Sequence, residues 1–241
     1  MIRLRDVSYS YDGCAALSHV DLAVARGESV AFIGPNGSGK STLLKLINGI
    51  VLPDAGGYSF DGDEITRQRL GDQAFAKRFH QRIGFLLQNP DAQLFCPVVR
   101  EEIAFGPRQM GLDESAVADR VFDCLELLEI EHLALRAPHH LSEGEKRKVA
   151  LASVLALNPE VLVLDEPMNG LDPRTKRFLR ELIVSLRDAG KTILCATHDF
   201  LYVEGIFQSV VVFSEDHRIV RTGSYKAILS DTDFLEARNI L

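Results

Sequence analysis

Four stretches of the chain, residues 30–33, 161–164, 192–196 and 210–213, are apolar without alternation. A strand with one wet face alternates, whereas a strand buried on both faces does not. These runs therefore predict a mostly parallel sheet covered by helices on each side. Helix-period segments lie between them. In residues 173–189, Leu179, Leu182, Ile183 and Leu186 form one stripe, and Gly190 follows as a stop. A shorter helix is expected over residues 199–207. Such alternation of strand and helix is α/β organisation with right-handed crossovers. Residues 2–8 and 20–25 alternate enough to predict two short N-terminal strands, with a turn over residues 9–13. From about residue 89 to 158 the pattern is almost wholly helical, with Val117, Val121, Leu125 and Leu128 on one face. This reads as an all-helical insertion between two strands. Beyond Ser214 the chain predicts a hairpin, with residues 219–221 pairing back, and a short helix over 224–229. No repeats, low-complexity tracts or coiled-coil heptads interrupt the chain.

Composition narrows the class. The 241 residues are 46% hydrophobic and 25% charged, a balance suited to a well-packed globular chain. The net charge of −7 argues against a broad nucleic-acid footprint, which needs a basic face. Cys14, Cys96, Cys124 and Cys195 are scattered. They form no C-x-x-C metal pattern and suit a reducing cytosol. The charged N-terminus does not predict a signal peptide, and no apolar run approaches the length of a membrane span.

The candidate chemistry begins at Gly34-Pro35-Asn36-Gly37-Ser38-Gly39-Lys40-Ser41, followed by Thr42. This is G-x-x-x-x-G-K-[ST] after an apolar run and before a helix-like run over residues 42–48. Its glycines let backbone N–H groups turn around an anion, and the helix behind adds partial positive charge. Lys40 supplies a full charge for β- and γ-phosphates, and the Ser41 hydroxyl is placed to ligate Mg²⁺. A second constellation ends the run at residues 161–164 with Asp165 and Glu166. An acid there can hold Mg²⁺, and the next carboxylate can orient and deprotonate an attacking water. Third, Ser142 with Glu145 three residues on reads as a capping box opening a helix. Such a helix start, with Gly144 inside it, is also an anion-binding position.

Taken in order, residues 34–42, Gln88, 141–145, 164–167, 170–172 and His198 resemble the ATP-binding cassette (ABC) ATPases over nearly the whole chain. The resemblance implies a P-loop NTPase fold of class α/β. It has a mostly parallel sheet core, N-terminal antiparallel strands and an all-helical subdomain insertion. One ABC ATPase domain would span residues 1–241, with residues 1–88 and 159–241 as core and 89–158 as the helical part. It implies ATP and Mg²⁺ as ligands. Tyr11, with Tyr9 as rival, would stack on adenine. Gln88 would sense Mg²⁺ and the attacking water. Ser41, Gln88 and Asp165 would serve the metal. Glu166, His198 and Gln88 would act in hydrolysis, His198 as the switch bonding the γ-phosphate. Asp172 would sit in a loop that crosses to a second subunit, whose ATP Ser142 and Gly144 contact. Each site would thus be shared between two ABC ATPases, as a homodimer or heterodimer. Glu143 and Glu145 stand where the family usually has Gly and Gln. Lys146, Arg147 and Lys148 follow at once and are expected to offset the added acid.

Residues 88–95 and 99–107 resemble the ATPase subunits of energy-coupling-factor importers, more closely the cobalt/nickel group than the vitamin group. That implies a peripheral place on the cytoplasmic face of the membrane. It also implies a transmembrane coupling protein and a substrate-binding membrane subunit as partners, and no nucleic acid. Asp91, Glu101 and Glu102 are candidates to pair with basic residues of the coupling protein. His139-His140 is expected to be a loop pair whose rings point apart. Two rivals fit less well. The short stretch between Gln88 and Ser142 leaves no room for the coiled-coil arms of chromosome-maintenance relatives. A P-loop small-molecule kinase would leave Ser142, Glu166 and His198 without roles.

Overall fold

The computed structural model describes residues 1–199 and 203–240. Its strands form two sheets. The six-stranded sheet has the order β10-β9-β3-β8-β7-β6. Its members are β3 (Ser29–Ile33), β6 (Ile83–Leu86), β7 (Val161–Asp165), β8 (Thr192–Ala196), β9 (Ser209–Phe213) and β10 (Ile219–Ser224). All neighbours run parallel except β10, which pairs antiparallel with β9. The four-stranded sheet, order β2-β1-β4-β5, is antiparallel. It comprises β1 (Ile2–Tyr11), β2 (Cys14–Val24), β4 (Ala55–Phe60) and β5 (Asp63–Glu64).

The uninterrupted apolar runs are explained by two hydrophobic clusters, one on each face of the larger sheet. Ala31 and Ile33 of β3 join one cluster, with Leu162 and Leu164 of β7 and Ile193 and Cys195 of β8. Val30 and Phe32 join the other, with Val161, Val163, Leu194 and Ala196. Successive side chains point to opposite faces, so both parities must be apolar. The first cluster includes the helices α4 (Val99–Gln109), α5 (Glu114–Leu127), α6 (Glu143–Leu155) and α7 (Pro173–Asp188). The second contains α1 (Lys40–Ile47) and the inner face of the four-stranded sheet. The α/β class and the helical character of residues 89–158 follow the sequence pattern, with short 3₁₀ turns at Pro90–Ala92, Glu131–Leu133 and Pro138–His140 between the helices.

Two local expectations are corrected, and a third falls partly outside the described residues. The N-terminal strands are longer than predicted, and only Asp12 and Gly13 form the turn between them. Their φ angles of 48° and 83° are those that a two-residue hairpin of Asp-Gly type needs. Asp6 and His19 also have positive φ, and the β1–β2 register shifts at three places. Those irregularities broke the alternation that would have shown the full strands. Between Asn48 and Ile83, where the pattern predicts no element, β4, β5 and the helices α2 (Arg67–Gly71) and α3 (Gln73–Arg82) occur. The helix expected over residues 199–207 includes residues 200–202, outside the described residues, while residues 204–206 form a turn. At the end of the chain lie α8 (Tyr225–Leu229), capped by Ser224, and α9 (Thr232–Glu236). Among the described residues no helix is long and apolar enough to cross a membrane.

Candidate functional site

The phosphate-type loop runs from the end of β3 into α1, and its backbone is set by close packing. A Cβ on Gly39, whose φ is 104°, would lie 2.2 Å from the carbonyl oxygen of Ala16 in β2. On Gly34 it would lie 2.7 Å from the carbonyl of Phe213 in β9. Both sheets thus clamp the loop from behind. Its other side borders a cleft of about 370 Å³ lined by residues 36–42 together with Tyr11, Ala15, Ala16, Gln88, Glu166 and His217. Ser38 Oγ is buried with no hydrogen-bond partner. Buried polar atoms are nearly always paired, so an orphan here fits a loop shaped for an oxygen-rich ligand. Lys40 Nζ donates to the carbonyls of Gly34 at 2.7 Å and Pro35 at 2.9 Å. Burial pulls the Lys40 pKa down, opposed by the nearby Glu166 and Asp165.

The acidic end of β7 meets this loop. Ser41 Oγ donates to Asp165 Oδ1 at 3.0 Å. Burial pushes the Asp165 pKa up, opposed chiefly by that bond. Glu166 has a φ of 49°, and its N–H donates to Ala196 at 2.9 Å. This turn carries its side chain out of the sheet and into the cleft. His198 Nδ1, just past β8, is 2.9 Å from Glu166 Oε2, although His198 does not itself line the cleft. Of the two candidate aromatics, Tyr11 lines the cleft and Tyr9 does not. Their rings meet edge to face at 4.9 Å.

Ser142, Gly144 and Asp172 do not line the cleft of their own chain. Ser142 caps α6 in a complete capping box. Its N–H and its hydroxyl both donate to Glu145 Oε2 at 2.7 Å, which holds the Glu145 pKa low. Asp172 caps α7, accepting from the N–H groups of Arg174 at 2.9 Å and Thr175 at 3.1 Å. A Cβ on Gly144 would come within 3.9 Å of Asp172 Oδ2. The starts of α6 and α7 therefore lie side by side.

The charged groups near these helix starts take intrachain partners, and the role expected of Glu102 is corrected. Of the cations after Glu145, the buried Arg147 feels the attraction of Glu143, while Lys146 pairs with Asp91 at 2.7 Å and Lys148 donates to the Leu128 carbonyl. Glu102 is buried and accepts from the N–H groups of Phe95 at 2.9 Å and Cys96 at 2.7 Å. An inward carboxylate bonded to backbone does not face a partner. Glu101 pairs with Arg108. The rings of His139 and His140 do not point apart; they meet at 4.1 Å. Sequence reasoning missed Ala15, Ala16 and His217 as cleft residues, since only long-range packing brings them there.

The ABC transporter family matches residues 17–169. The nickel import ATP-binding protein LarO of Lactiplantibacillus plantarum is 46% identical, over 91% of each chain. The energy-coupling factor transporter ATP-binding protein EcfA of Methanothermobacter thermautotrophicus is 42% identical over all of this chain and 76% of its own. Among solved structures, cbiO1 of Clostridium perfringens, part of the ABC transporter complex cbiONQ, superposes with a TM-score of 0.83 at 35% identity. That superposition covers 99% of this chain and 94% of the other. A phosphate-type loop, an acid pair on the adjacent strand and relatives that share the whole length together place this chain in the ABC transporter family, as an ATPase cassette of the branch that contains the energy-coupling-factor ATPases.

Proposed function

We propose that this cassette powers an energy-coupling-factor importer for nickel or cobalt ions. The identity to the nickel import protein over 91% of both chains carries the choice of solute. The metal is cargo here. The cassette sits peripherally on the cytoplasmic face, against a transmembrane coupling protein, while a membrane subunit binds the solute. The helical segment, residues 89–158, forms the subdomain facing those partners. Uptake of labelled nickel and cobalt by cells expressing the whole complex tests the reading. Uptake of a vitamin and of neither metal would refute it.

Within the cleft, residues 34–42 hold the phosphates and Tyr11 stacks on adenine. The donors of Ser41, Asp165 and Gln88 are all oxygens, which suits a hard cation such as Mg²⁺. Bound there, it would neutralise phosphate charge. Glu166 orients and deprotonates the attacking water, and Gln88 positions it. His198 holds Glu166 in place by its 2.9 Å contact and is the γ-phosphate switch. Ser142, Gly144 and Asp172 serve the second subunit's nucleotide, which is why they stand clear of their own cleft. ATP then closes a dimer by bridging both halves, a population shift between two states. The variant Glu166→Gln should form an ATP-dependent dimer in size-exclusion chromatography; a strict monomer with ATP bound would rule the shared site out.

A further inference from the structure

The His198 side chain is 61% exposed, against 11% for the Glu166 that it touches. Packing therefore does not fix its ring. Its backbone is fastened instead on both sides. On one side Thr197 is buried, and its N–H donates at 3.2 Å to the Phe32 carbonyl of β3, the strand that leads into the phosphate loop. On the other side, the Asp199 N–H donates to Thr197 Oγ1 at 3.0 Å. Asp199 Oδ2 then accepts from Lys176 Nζ of α7 at 2.5 Å.

The Lys176–Asp199 pair differs from the ion pairs on the open surface. Its side chains are 19% and 18% exposed, so salt and water screen it less than an exposed pair. It also joins two distant parts of the chain. Lys176 lies one turn into α7, and its N–H donates to the carbonyl of the capping Asp172 at 3.0 Å. A continuous series of bonds thus runs from Asp172 through Lys176 and Asp199 to the peptide of His198, and on to Glu166 Oε2. A pair that served stability alone could join α7 to the sheet anywhere along its length. This one is attached to the residue adjoining His198.

We infer that Lys176 is a positioning residue for hydrolysis, its ion pair with Asp199 holding the His198 ring on Glu166. The inference rests on the proposed role of His198 and adds the element that sets its geometry. Neither Lys176 nor Asp199 lines the nucleotide cleft. Loss of the pair therefore acts on turnover rather than on affinity for ATP.

The test uses the full chain with Mg²⁺ and ATP. Lys176→Met keeps the apolar stem and removes the charge; Asp199→Asn breaks the same pair from the other side. In both, kcat should fall about 10- to 100-fold, the range for a misplacement approaching 1 Å, while KM stays near the parent. Lys176→Arg keeps the charge and should recover most of the loss. In the His198→Ala background, Lys176→Met should cost less than about twofold more, because residues that act as a unit are not additive. A purely structural role would cost the same fold in both backgrounds. A second readout does not depend on turnover: the ring resonance of His198 in histidine-labelled protein, identified by its absence from His198→Ala. Glu166→Gln should shift that resonance in the parent and not in Lys176→Met. An undiminished shift in Lys176→Met, or an equal fold loss in both backgrounds, would overturn the inference. Parental hydrolysis in His198→Ala would instead overturn the hydrolytic role of His198, and the resonance would still decide whether Lys176 positions the ring.

Discussion

The glycine at the end of the phosphate loop permits a sharp test of how the fold holds that loop. In Gly39→Ala the new Cβ would lie 2.2 Å from the Ala16 carbonyl oxygen and 3.2 Å from Leu17 Cδ2. Carbon and carbonyl oxygen stop at about 3.3 Å, so the loop or β2 must shift by about 1 Å. The backbone angle of 104° adds the cost of placing an L-residue at positive φ, about 1–2 kcal/mol. Forcing a group into packed space adds about 1–3 kcal/mol. The control is Gly13→Ala in the β1–β2 turn. It has a φ of 83° and nothing within 4 Å of the new Cβ, so only the backbone cost of about 1–2 kcal/mol applies. Urea unfolding of the nucleotide-free proteins should therefore rank Gly39→Ala below Gly13→Ala by the packing difference. Steady-state ATP hydrolysis should fall about 10²-fold in the first, the usual cost of a 1 Å misplacement, and stay near the parent in the second. Equal unfolding midpoints for both variants, or parental hydrolysis in Gly39→Ala, would refute the claim that β2 sets the loop.

Three further outcomes follow from other contacts. Glu160 accepts from Arg82 Nε at 2.6 Å, and Arg26 also bonds it, which lowers its pKa from 4.5 to about 2. A depressed carboxylate stabilises above its unfolded pKa and loses that effect as pH falls through the folded value. The advantage of the parent over Glu160→Gln, about 1 kcal/mol after solvent screening, should thus be full at pH 5 and vanish toward pH 2 in thermal scans; a constant difference would contradict it. Glu102→Ala strands the Phe95 and Cys96 N–H groups and should cost about 2–5 kcal/mol in urea unfolding, with the largest gain in hydrogen exchange at those two amides; an unchanged urea midpoint would contradict it. Glu145→Gln keeps an acceptor for Ser142 but removes a charge that, in the proposed shared site, would face the second nucleotide, so ATP-driven dimerisation in the Glu166→Gln background should need about fivefold less ATP; an unchanged requirement would show that this charge does not oppose closure.

Much of this arrangement was legible because its signals are local. The loop at residues 34–42 is a fixed spacing of small residues around a lysine, and its strand and helix flank it directly. The parallel strands announced themselves because burial on two faces removes alternation. Signals that need distant partners were silent. Glu102 looked like any surface acid until its bonds to Phe95 and Cys96 were seen. His217 lies far along the chain from the loop it approaches. The β4 strand carries Gly56 and Gly57, which offer no side chains to alternate. The N-terminal hairpin was cut short because Asp6 and His19 adopt positive φ and the register shifts three times over one strand pair.

The segment after Gln88 and the helix that Ser142 caps are tied together by side-chain bonds. Arg147 of α6 donates to the Leu87 carbonyl at 2.9 Å, and Lys146 pairs with Asp91. Gln93 closes the unit: its amide donates to the Ala150 carbonyl at 3.2 Å while its oxygen accepts from the Leu87 N–H at 3.1 Å. Burying the Arg147 guanidinium without a carboxylate partner is costly, and its Nε stays unpaired. A neutral side chain would pack there at lower cost but could not reach the Leu87 carbonyl. The expense is consistent with a tie between α6 and Gln88 that stability alone does not require. In the proposed dimer with shared sites, Gln88 would face its own subunit's nucleotide and Ser142 the other. Motion of Gln88 would then displace Ser142 through Arg147 and Gln93, so each site would sense the state of its neighbour through a rigid link a few residues long.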